Sequence, residues 1–270
     1  MNDATTASIR ARFDALASDF ARHDALQRAW AGQLLERLDG LKLEPLPKVI
    51  LDLGCGPVPM ARALAKRFRA ARVVAIDASR GMLAQARRAA GWRQRRFRCV
   101  QADARRLPLA DDSVDLVFAH LLLPWIDDVP GLLTGLRRVL RPEGLLLLSA
   151  LGPDTAAEGS AGVLDPTVQV SDVQRLGDAL MRAGFHEPVL DTDWLDSAHA
   201  SRAALHRQLA ATGLAAAGNE PVEDAPDGPV RMRWEVVQAS AWAPPHGAPI
   251  RSFGGEEASV PISQIGRRQR

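Results

Sequence analysis

The chain of 270 residues contains no tyrosine and only two cysteines, Cys55 and Cys99. Neither cysteine belongs to a CxxC pair, which argues against a disulfide scaffold and against a cysteine-based zinc site. Lys and Arg total 34 and Asp and Glu total 32, so the formal net charge is only +2. Because nucleic-acid-binding proteins concentrate basic charge on one face, this balance predicts no nucleic-acid partner.

Long apolar runs are also missing. The stretches at 121–123 and 145–148 are far shorter than the ~20 residues that span a bilayer, and the N-terminal segment lacks the apolar centre of a signal peptide. We therefore expect no membrane contact and a cytoplasmic location. The length and the 47% hydrophobic content predict one large domain with a sizeable core.

The sequence does contain a regular alternation of strand and helix signals. Residues 5–40 have helical periodicity with a break at His23 and Asp24. The patterns that follow predict strands at 49–54, 71–77, 97–103, 113–120 and 145–151, helices at 60–69, 79–90 and 130–140, and a turn at 141–144. Continuous apolar strands separated by helices predict a parallel sheet that is covered on both faces.

The signals weaken after residue 151. We predict a loop at 152–167, helices at 173–184 and 198–212, strands at 188–195 and 233–242, and an irregular tail from Ala243.

Residues that suit a nucleotide-like ligand follow the first three strands. Asp52 is followed by Gly54 and Gly56 where a strand gives way to a helix, and Asp77 and Asp103 end the next two strands. Glycine permits a tight turn and close approach of a ligand to the main chain. Such a unit lies at the carboxyl edge of a parallel sheet, where nucleotides bind.

Four interpretations of this motif compete. A dinucleotide fold requires G-x-G-x-x-G, but Pro59 takes the place of the third glycine. A phosphate loop requires G-x-x-x-x-G-K-S/T, which is absent. S-adenosyl-L-methionine (SAM) has no phosphate, and its ribose hydroxyls and amines suit acidic strand ends. The fourth interpretation is a set of ordinary strand-end turns, and the acid before the glycines with two further strand-end acids favours SAM.

The sequence also resembles a known family. The segments that carry the resemblance are LDLGCGP, AIDASRGMLAQAR, QADARRLPLADDSVDLVFAH, WIDD and GLRRVLRPEGLLLLSALGPDT, together with 12–27, 176–191 and 234–265. They are similar to class I SAM-dependent methyltransferases, and most similar to the malonyl-acyl carrier protein O-methyltransferases of biotin synthesis. The resemblance implies an α/β fold with a Rossmann-like, seven-stranded, mostly parallel sheet whose last strand is antiparallel. It also implies a helical N-terminal cap at 1–45 and a methyltransferase domain at 46–270 with a reduced lid around 152–232.

The resemblance implies roles for particular residues. Asp52, Gly54, Cys55 and Gly56 form the cofactor loop, Asp77 holds the ribose, and Met82 packs near the adenine. Asp103 and Ala104 fix the adenine, and His120 and Leu121 border the methionine end. The acceptor is the free carboxylate of a malonyl group on acyl carrier protein, and His120, Trp125 and Phe20 are candidates for the acceptor pocket. No metal is expected, and Cys55 is expected to fill the loop rather than to act as a nucleophile.

The sequence departs from the family at several of these positions. Val58 takes the place of a further glycine that the family has after Gly-Cys-Gly-Pro, and Pro59 follows it. His120 and Pro124 replace two amide side chains, and Phe20 replaces a tyrosine. These changes affect the pocket more than the sheet. They leave open methyl transfer to another small acceptor, or a non-catalytic paralogue that acts as a binding partner.

Overall fold

A computed structural model of the protein describes residues 3–57, 60–90, 97–155, 163–215, 228–247, 250–252 and 255–257. Its helices are α1 (Asp3–His23), α2 (Ala25–Glu36), α3 (Ala61–Arg67), α4 (Arg80–Ala90), α5 (Val129–Val139), α6 (Val173–Arg182) and α7 (Arg202–Ala211). Its strands are β1 (Val49–Leu53), β2 (Arg72–Asp77), β3 (Phe97–Gln101), β4 (Val114–His120), β5 (Leu140–Leu151), β6 (His186–His199), β7 (Val230–Trp242), β8 (Ile250–Ser252) and β9 (Gly255–Glu257).

Seven strands form one sheet in the order β3-β2-β1-β4-β5-β7-β6. The pairs from β3 to β5 are parallel, whereas β7 is antiparallel to both β5 and β6. This confirms the predicted seven-stranded, mostly parallel sheet with one reversed strand. Because the chain leaves β1 for β2 on one side and later returns to place β4 on the other, the carboxyl end of β1 lies where the strand order reverses. Open sheets of this kind bind ligands in the crevice at that point.

The sheet is buried on both faces because successive side chains of a strand point in opposite directions. In β1, Ile50 joins a cluster with Leu64 of α3 and Leu83 of α4. The next residue, Leu51, joins a second cluster with Leu132 of α5. Each of these side chains is almost fully buried. The unbroken apolar strands of the sequence therefore correspond to a sheet between two helical layers.

A third apolar cluster connects the N-terminal helices with the C-terminal part of the chain. Trp30 of α2 packs edge-to-face against Trp234 of β7, with ring centroids 5.0 Å apart. Leu205 and Leu209 of α7 belong to the same cluster. The predicted break between the first two helices is confirmed, because α1 ends at His23 and α2 begins at Ala25.

The predicted turn at 141–144 is wrong as an interruption of the sheet, because these residues lie within β5. They form an irregularity in that strand, where the pairing with β4 moves from Val114–Leu140 to Leu116–Leu145. Glu143 has a φ of +62°, and its N–H donates to the Ala243 carbonyl at 2.9 Å. The extra residues therefore form a bulge in β5. The Pro-Glu-Gly sequence, which has the composition of a turn, lies in this bulge.

Three other expectations also need correction. The helix predicted from Ala198 begins only at Arg202, because Ala198 and His199 continue β6 and pair with β7. The tail predicted as irregular contains the small antiparallel pair of β8 and β9. Strand β3 ends at Gln101, so Asp103 follows the strand rather than ending it.

Several sequence predictions lie outside the described residues. They concern Val58 and Pro59 of the glycine loop and parts of the predicted lid, at 156–162 and 216–227. Among the helices that the structure describes, none is both long and apolar enough to cross a membrane.

Candidate functional site

A cleft of about 200 Å³ opens at the carboxyl ends of β1, β2 and β4. The structure brings together around it every residue predicted for the cofactor site or the acceptor pocket, namely Asp52, Gly54, Cys55, Gly56, Asp77, Met82, Asp103, Ala104, His120, Leu121, Trp125 and Phe20. Helices α1 and α2 also line the cleft, through residues such as Phe13 and Gln27.

The loop after β1 exposes its backbone to the cleft. Gly54 and Gly56 have φ values of +69° and +60°, which favour glycine. The Gly54 and Cys55 N–H groups donate to the Ile76 carbonyl at 2.8 and 3.0 Å and so anchor the turn on β2. A Cβ on Gly54 would lie 3.1 Å from the Leu122 side chain, whereas a Cβ on Gly56 would meet no atom within 4 Å. The Gly56 side of the loop is therefore open to a ligand.

Asp52 links the glycine loop to the helix that follows it. Its carboxylate is buried, and Oδ2 accepts a hydrogen bond from the Ala61 N–H, at the start of α3, at 2.7 Å. Burial raises the pKa of Asp52 to about 7, and the nearby Asp77 charge contributes in the same direction. Asp52 is therefore a structural anchor of the loop whose charge is poorly solvated.

Asp77 lies at the end of β2 with its two oxygens held by the backbone. Oδ2 accepts from the Gly56 N–H at 2.9 Å, and Oδ1 accepts from the Ser79 N–H at 2.8 Å. Burial raises the pKa of this carboxyl, although the two backbone hydrogen bonds oppose the shift. A carboxylate oxygen has room for a second donor, so the fixed oxygens of Asp77 suit two adjacent hydroxyl groups.

Asp103 occupies a more exposed and more strongly paired position. Its Oδ2 lies 2.6 Å from the Arg105 guanidinium, and Oδ1 accepts from the Arg105 N–H at 2.9 Å. The hydrogen bond from the Arg105 side chain lowers the pKa of Asp103. Asp103 is therefore ionised at neutral pH, and both of its oxygens accept hydrogen bonds from Arg105. Asp103 and the neighbouring Ala104 line the cleft.

His120 ends β4 with its imidazole against the neighbouring strand. Its Nδ1 lies 2.7 Å from the Ser149 hydroxyl of β5, and that hydroxyl also accepts from the Leu121 N–H at 3.1 Å. Burial lowers the pKa of His120 to about 4, and the Gln27 backbone offsets this shift only in part. The imidazole is therefore neutral at physiological pH. Leu121 has a φ of +49°, which is rare for a bulky residue and is typical of functional sites.

The aromatic wall of the cleft combines α1 with the segment after β4. Trp125 packs edge-to-face against Phe13, with centroids 4.8 Å apart, and Phe13 contacts Phe20 at 6.3 Å. The Arg12 guanidinium lies over the Trp125 ring, 5.8 Å from its centroid. These contacts make one side of the cleft apolar and fix Trp125 in place.

Helix α1 is tied to both sides of the cleft. On one side, Asp14 Oδ1 accepts from the Ser79 hydroxyl at 2.6 Å and from the Gly81 N–H at 2.8 Å, at the start of α4. On the other side, Arg12 pairs with Asp165 and donates to the Ala215 carbonyl at 3.1 Å. Together these contacts fasten α1 across the cleft.

Neither Cys55 nor the adjacent aspartates at 111–112 and 127–128 form a nucleophile or a metal site among the described residues. Burial raises the pKa of the Cys55 thiol well above its ordinary value, so the nucleophilic thiolate is disfavoured. Asp111 pairs with Arg138 at 2.6 Å, and Asp128 caps α5 by accepting from the Gly131 N–H. In the part of the chain that the structure describes, His, Cys, Asp and Glu side chains form no group of three or more that could hold a metal.

Sequence reasoning missed three polar residues at the start of α2, which we call the α2 cluster: Asp24 immediately before the helix, and Gln27 and Arg28 in its first turn. All three line the cleft. They are spaced at i, i+3 and i+4, and the buried Ala31 continues the same helical face. Polar residues on a face that should be apolar were the signal that could have identified them.

Comparisons with known proteins agree with this architecture. A family model described as a methyltransferase domain matches residues 51–148. The chain is 36% identical to malonyl-[acyl-carrier protein] O-methyltransferase of Xylella fastidiosa (strain M23), over 98% of this chain and 97% of that protein. It is also 36% identical to the protein of the same name from Halorhodospira halophila (strain DSM 244 / SL1), over 97% and 96%. A putative methyltransferase from Bacillus halodurans has a similar fold, with a TM-score of 0.57 and 19% identity over 79% of this chain and 98% of that one.

Proposed function

Because this chain belongs to the malonyl-[acyl-carrier protein] O-methyltransferase family, we propose that it methylates the free carboxylate of a malonyl thioester on acyl carrier protein, as a step in biotin precursor synthesis. Similarity to these relatives over nearly the whole chain is the observation that carries this proposal. The protein is a SAM-dependent methyltransferase, so its cofactor is S-adenosyl-L-methionine.

The residues around the cleft fit this cofactor. Asp77 has two fixed carboxylate oxygens for the ribose hydroxyls, and Asp103 would accept from the adenine amino group in exchange for part of its hydrogen bonding to Arg105. Met82 is buried against the cleft, where it would pack near the adenine. The open backbone at Gly56 leaves room for the rest of the molecule. We therefore assign cofactor binding to Asp52, Gly54, Cys55, Gly56, Asp77, Met82, Asp103, Ala104 and His120.

The mechanism requires little acid–base chemistry from the protein. When bound, SAM supplies a methyl group on a positively charged sulfur, which is an activated electrophile. A malonyl carboxylate is already ionised at neutral pH, so no general base is required. The neutral imidazole of His120 and the undissociated thiol of Cys55 are consistent with a reaction in which the protein supplies neither a charged base nor a nucleophile.

The contribution of the chain is positioning and exclusion of water. The aromatic wall of Phe13, Phe20 and Trp125 removes water from the acceptor side of the cleft. Removing water from a carboxylate strengthens it as a nucleophile, and holding it in line with the methyl group removes an entropic barrier. Esterification then neutralises the carboxylate.

We further propose that residues 1–45 act as a cap over the methyltransferase domain at 46–270, with the segment around 152–232 as a reduced lid. The bonds that fasten α1 to α4 and to Asp165 support this arrangement. We also propose a cytoplasmic location, in keeping with a carrier-protein substrate.

The test is the release of S-adenosylhomocysteine from SAM in the presence of malonyl carrier protein. Acetyl carrier protein, which lacks the free carboxylate, is the matched control. We expect product with the malonyl form and none with the acetyl form. Cofactor binding without turnover of the malonyl form would favour another small acceptor or a non-catalytic role, which His120 and Pro124 leave open.

A further inference from the structure

Three buried polar atoms of the cleft have no hydrogen-bond partner. Among the described residues, the buried side-chain atoms without a partner are Asp24 Oδ1, Gln27 Oε1, His120 Nε2, His206 Nε2 and Gln238 Oε1. The first three belong to residues that line the cleft. Burying a polar atom without a partner costs free energy. Their concentration at one place indicates that a ligand completes them.

The chemistry of these atoms defines that ligand. Asp24 Oδ1 and Gln27 Oε1 are both acceptors, so they need a donor with several hydrogens. The Asp24 side chain is only 4% exposed, and the charge that opposes it is Arg28, whose Nε lies 3.1 Å away without forming an aligned hydrogen bond. Arg28 is about half exposed, with a side-chain exposure of 49%, and its guanidinium has further N–H groups. The α2 cluster therefore presents a buried negative group next to a more accessible positive group.

His120 adds a donor to this arrangement. The Ser149 hydroxyl accepts from the Leu121 N–H and lies 2.7 Å from His120 Nδ1, to which it donates its proton in one tautomer of the ring. With Nδ1 accepting, the neutral ring carries its own proton on Nε2, the atom that lacks a partner.

We propose that the α2 cluster and His120 form a receptor for the zwitterionic amino-acid end of the cofactor. Asp24 and Gln27 receive the ammonium group, while Arg28 and His120 receive the carboxylate. This inference rests on the proposed function and adds the residues with which this chain holds one end of SAM. It also gives a role to His120, at a position where the family has an amide.

Charge excludes the acceptor substrate from this receptor. A malonyl carboxylate has only acceptors, and here it would face the buried Asp24 carboxylate and the Gln27 oxygen. Two acceptors directed at an anion in a water-poor site repel it. A group with a positive and a negative end matches all four side chains, so the amino-acid end of the cofactor is the better occupant.

The experiment combines variants that remove one charge with ligands that lack part of the cofactor. Calorimetric titration gives the dissociation constants of S-adenosylhomocysteine and of 5′-methylthioadenosine, which lacks the amino-acid end. Because charged hydrogen bonds are lost, Asp24→Asn should weaken S-adenosylhomocysteine about tenfold or more and leave methylthioadenosine unchanged. Asp19→Asn, which makes the same charge change at an exposed position of α1, should alter neither ligand.

A third ligand separates the two ends of the zwitterion. S-adenosyl-3-thiopropylamine lacks only the carboxylate, so its affinity should fall in Asp24→Asn but remain unchanged in Arg28→Gln. S-adenosylhomocysteine should lose affinity in both variants. If Asp24→Asn does not fold, Gln27→Leu provides the same comparison, and circular dichroism monitors folding.

Equal losses for S-adenosylhomocysteine and methylthioadenosine in Asp24→Asn, or no loss for either, would overturn the receptor and leave the proposed function intact. A wild-type protein that binds no S-adenosylhomocysteine would overturn both.

Discussion

Three aspartates of similar sequence context have different charge environments in the folded protein. Asp52 is buried with one backbone donor, Asp77 is buried with two, and Asp103 is paired with an arginine. Their pKa values accordingly shift upward for the first two and downward for the third. Each aspartate therefore makes a different contribution to ligand binding and to stability.

Asp77→Asn should weaken the binding of S-adenosylhomocysteine by about 1–3 kcal/mol, since charged hydrogen bonds to the ribose are replaced by neutral ones. The asparagine has nearly the same shape and can still accept one of the two backbone hydrogen bonds. Calorimetry on the variant and on Asp111→Asn, a surface change away from the cleft, measures the effect. An unchanged affinity in Asp77→Asn would show that the ribose lies elsewhere.

Asp52→Asn should remove a pH dependence of stability. Burial raises the pKa of Asp52 from 3.8 to about 7, so within this window the folded protein holds a proton that the unfolded chain releases. The free energy of unfolding therefore falls as the pH rises through the window, by at most about 1.4 kcal/mol per pH unit, and levels off above it. Urea denaturation from pH 5 to 8 should show this decline in the wild type relative to Asp52→Asn. Parallel curves for the two proteins would contradict the buried, protonated carboxyl.

At the residue scale, the sequence predicted the part of the site that follows strand ends. Asp52, Gly54 and Asp77 are identified by their places relative to apolar strands, because parallel strands end at a common edge. The α2 cluster could not be predicted in the same way, since its approach to the cleft depends on tertiary packing of Trp30 against Trp234. Ser149 was missed for the same reason, because its contact with His120 requires the pairing of β4 with β5.

At the scale of elements, α1 packs closely on the first turn of α4, beside the cleft. A Cβ on Gly81 would lie 2.8 Å from the Asp14 carbonyl oxygen and 2.9 Å from the Ala17 Cβ. Glycine at this position therefore lets the backbone of α1 approach α4, next to the bonds from Asp14.

Gly81→Ala should destabilise the protein by about 1–3 kcal/mol, because the added methyl group overpacks this contact and displaces α1. It should also weaken cofactor binding, since α1 covers the cleft. Gly135→Ala on α5 is the matched control, because no atom lies within 4 Å of its Cβ position. The control should gain about 0.5–1 kcal/mol from helix propensity. Urea denaturation gives the change in the free energy of unfolding for each variant, and we expect a decrease in Gly81→Ala and an increase in Gly135→Ala. Equal changes would mean that α1 does not pack closely against α4.

The interpretation of elements from sequence failed where pairing overrides local preference. Arg-Pro-Glu-Gly has the composition of a turn, but it lies within β5 because the residues on either side of it, Leu140 and Leu145, both pair with β4. Ala198 and His199 resemble the start of a helix, but pairing with Arg231 and Val230 extends β6 through them. Continuous apolar runs and the helix at 79–90 were predictable because they depend on local signals, such as Ser79, whose hydroxyl accepts from the Met82 N–H at 3.0 Å.

At the scale of the whole molecule, the parallel sheet between helices followed from the alternation of apolar runs and helices, and the reversed β7 from the family resemblance. The cap depends on contacts between segments that are far apart in sequence, such as Arg12 with Asp165. The cleft therefore unites the N-terminal helices, the sheet edge and the segment after α7, which contributes Thr212 and Leu214.

Ligand binding should stabilise this assembly as a unit. S-adenosylhomocysteine at a hundred times its dissociation constant adds about 2.7 kcal/mol to the free energy of unfolding. For a chain of this size that corresponds to a rise in Tm of roughly 5–10 °C. A thermal scan should show this rise, whereas ATP, which places phosphates where the amino-acid end belongs, should produce none. Equal shifts with both ligands would indicate a general adenosine site.

The most direct measurement of the central claim is a crystal structure of the protein with S-adenosylhomocysteine. We expect the ribose at Asp77, the adenine beside Asp103 and Ala104, and the amino-acid end between the glycine loop and α2. A ligand bound outside this cleft, or a cleft closed by the glycine loop with Asp77 directed away from it, would contradict the account.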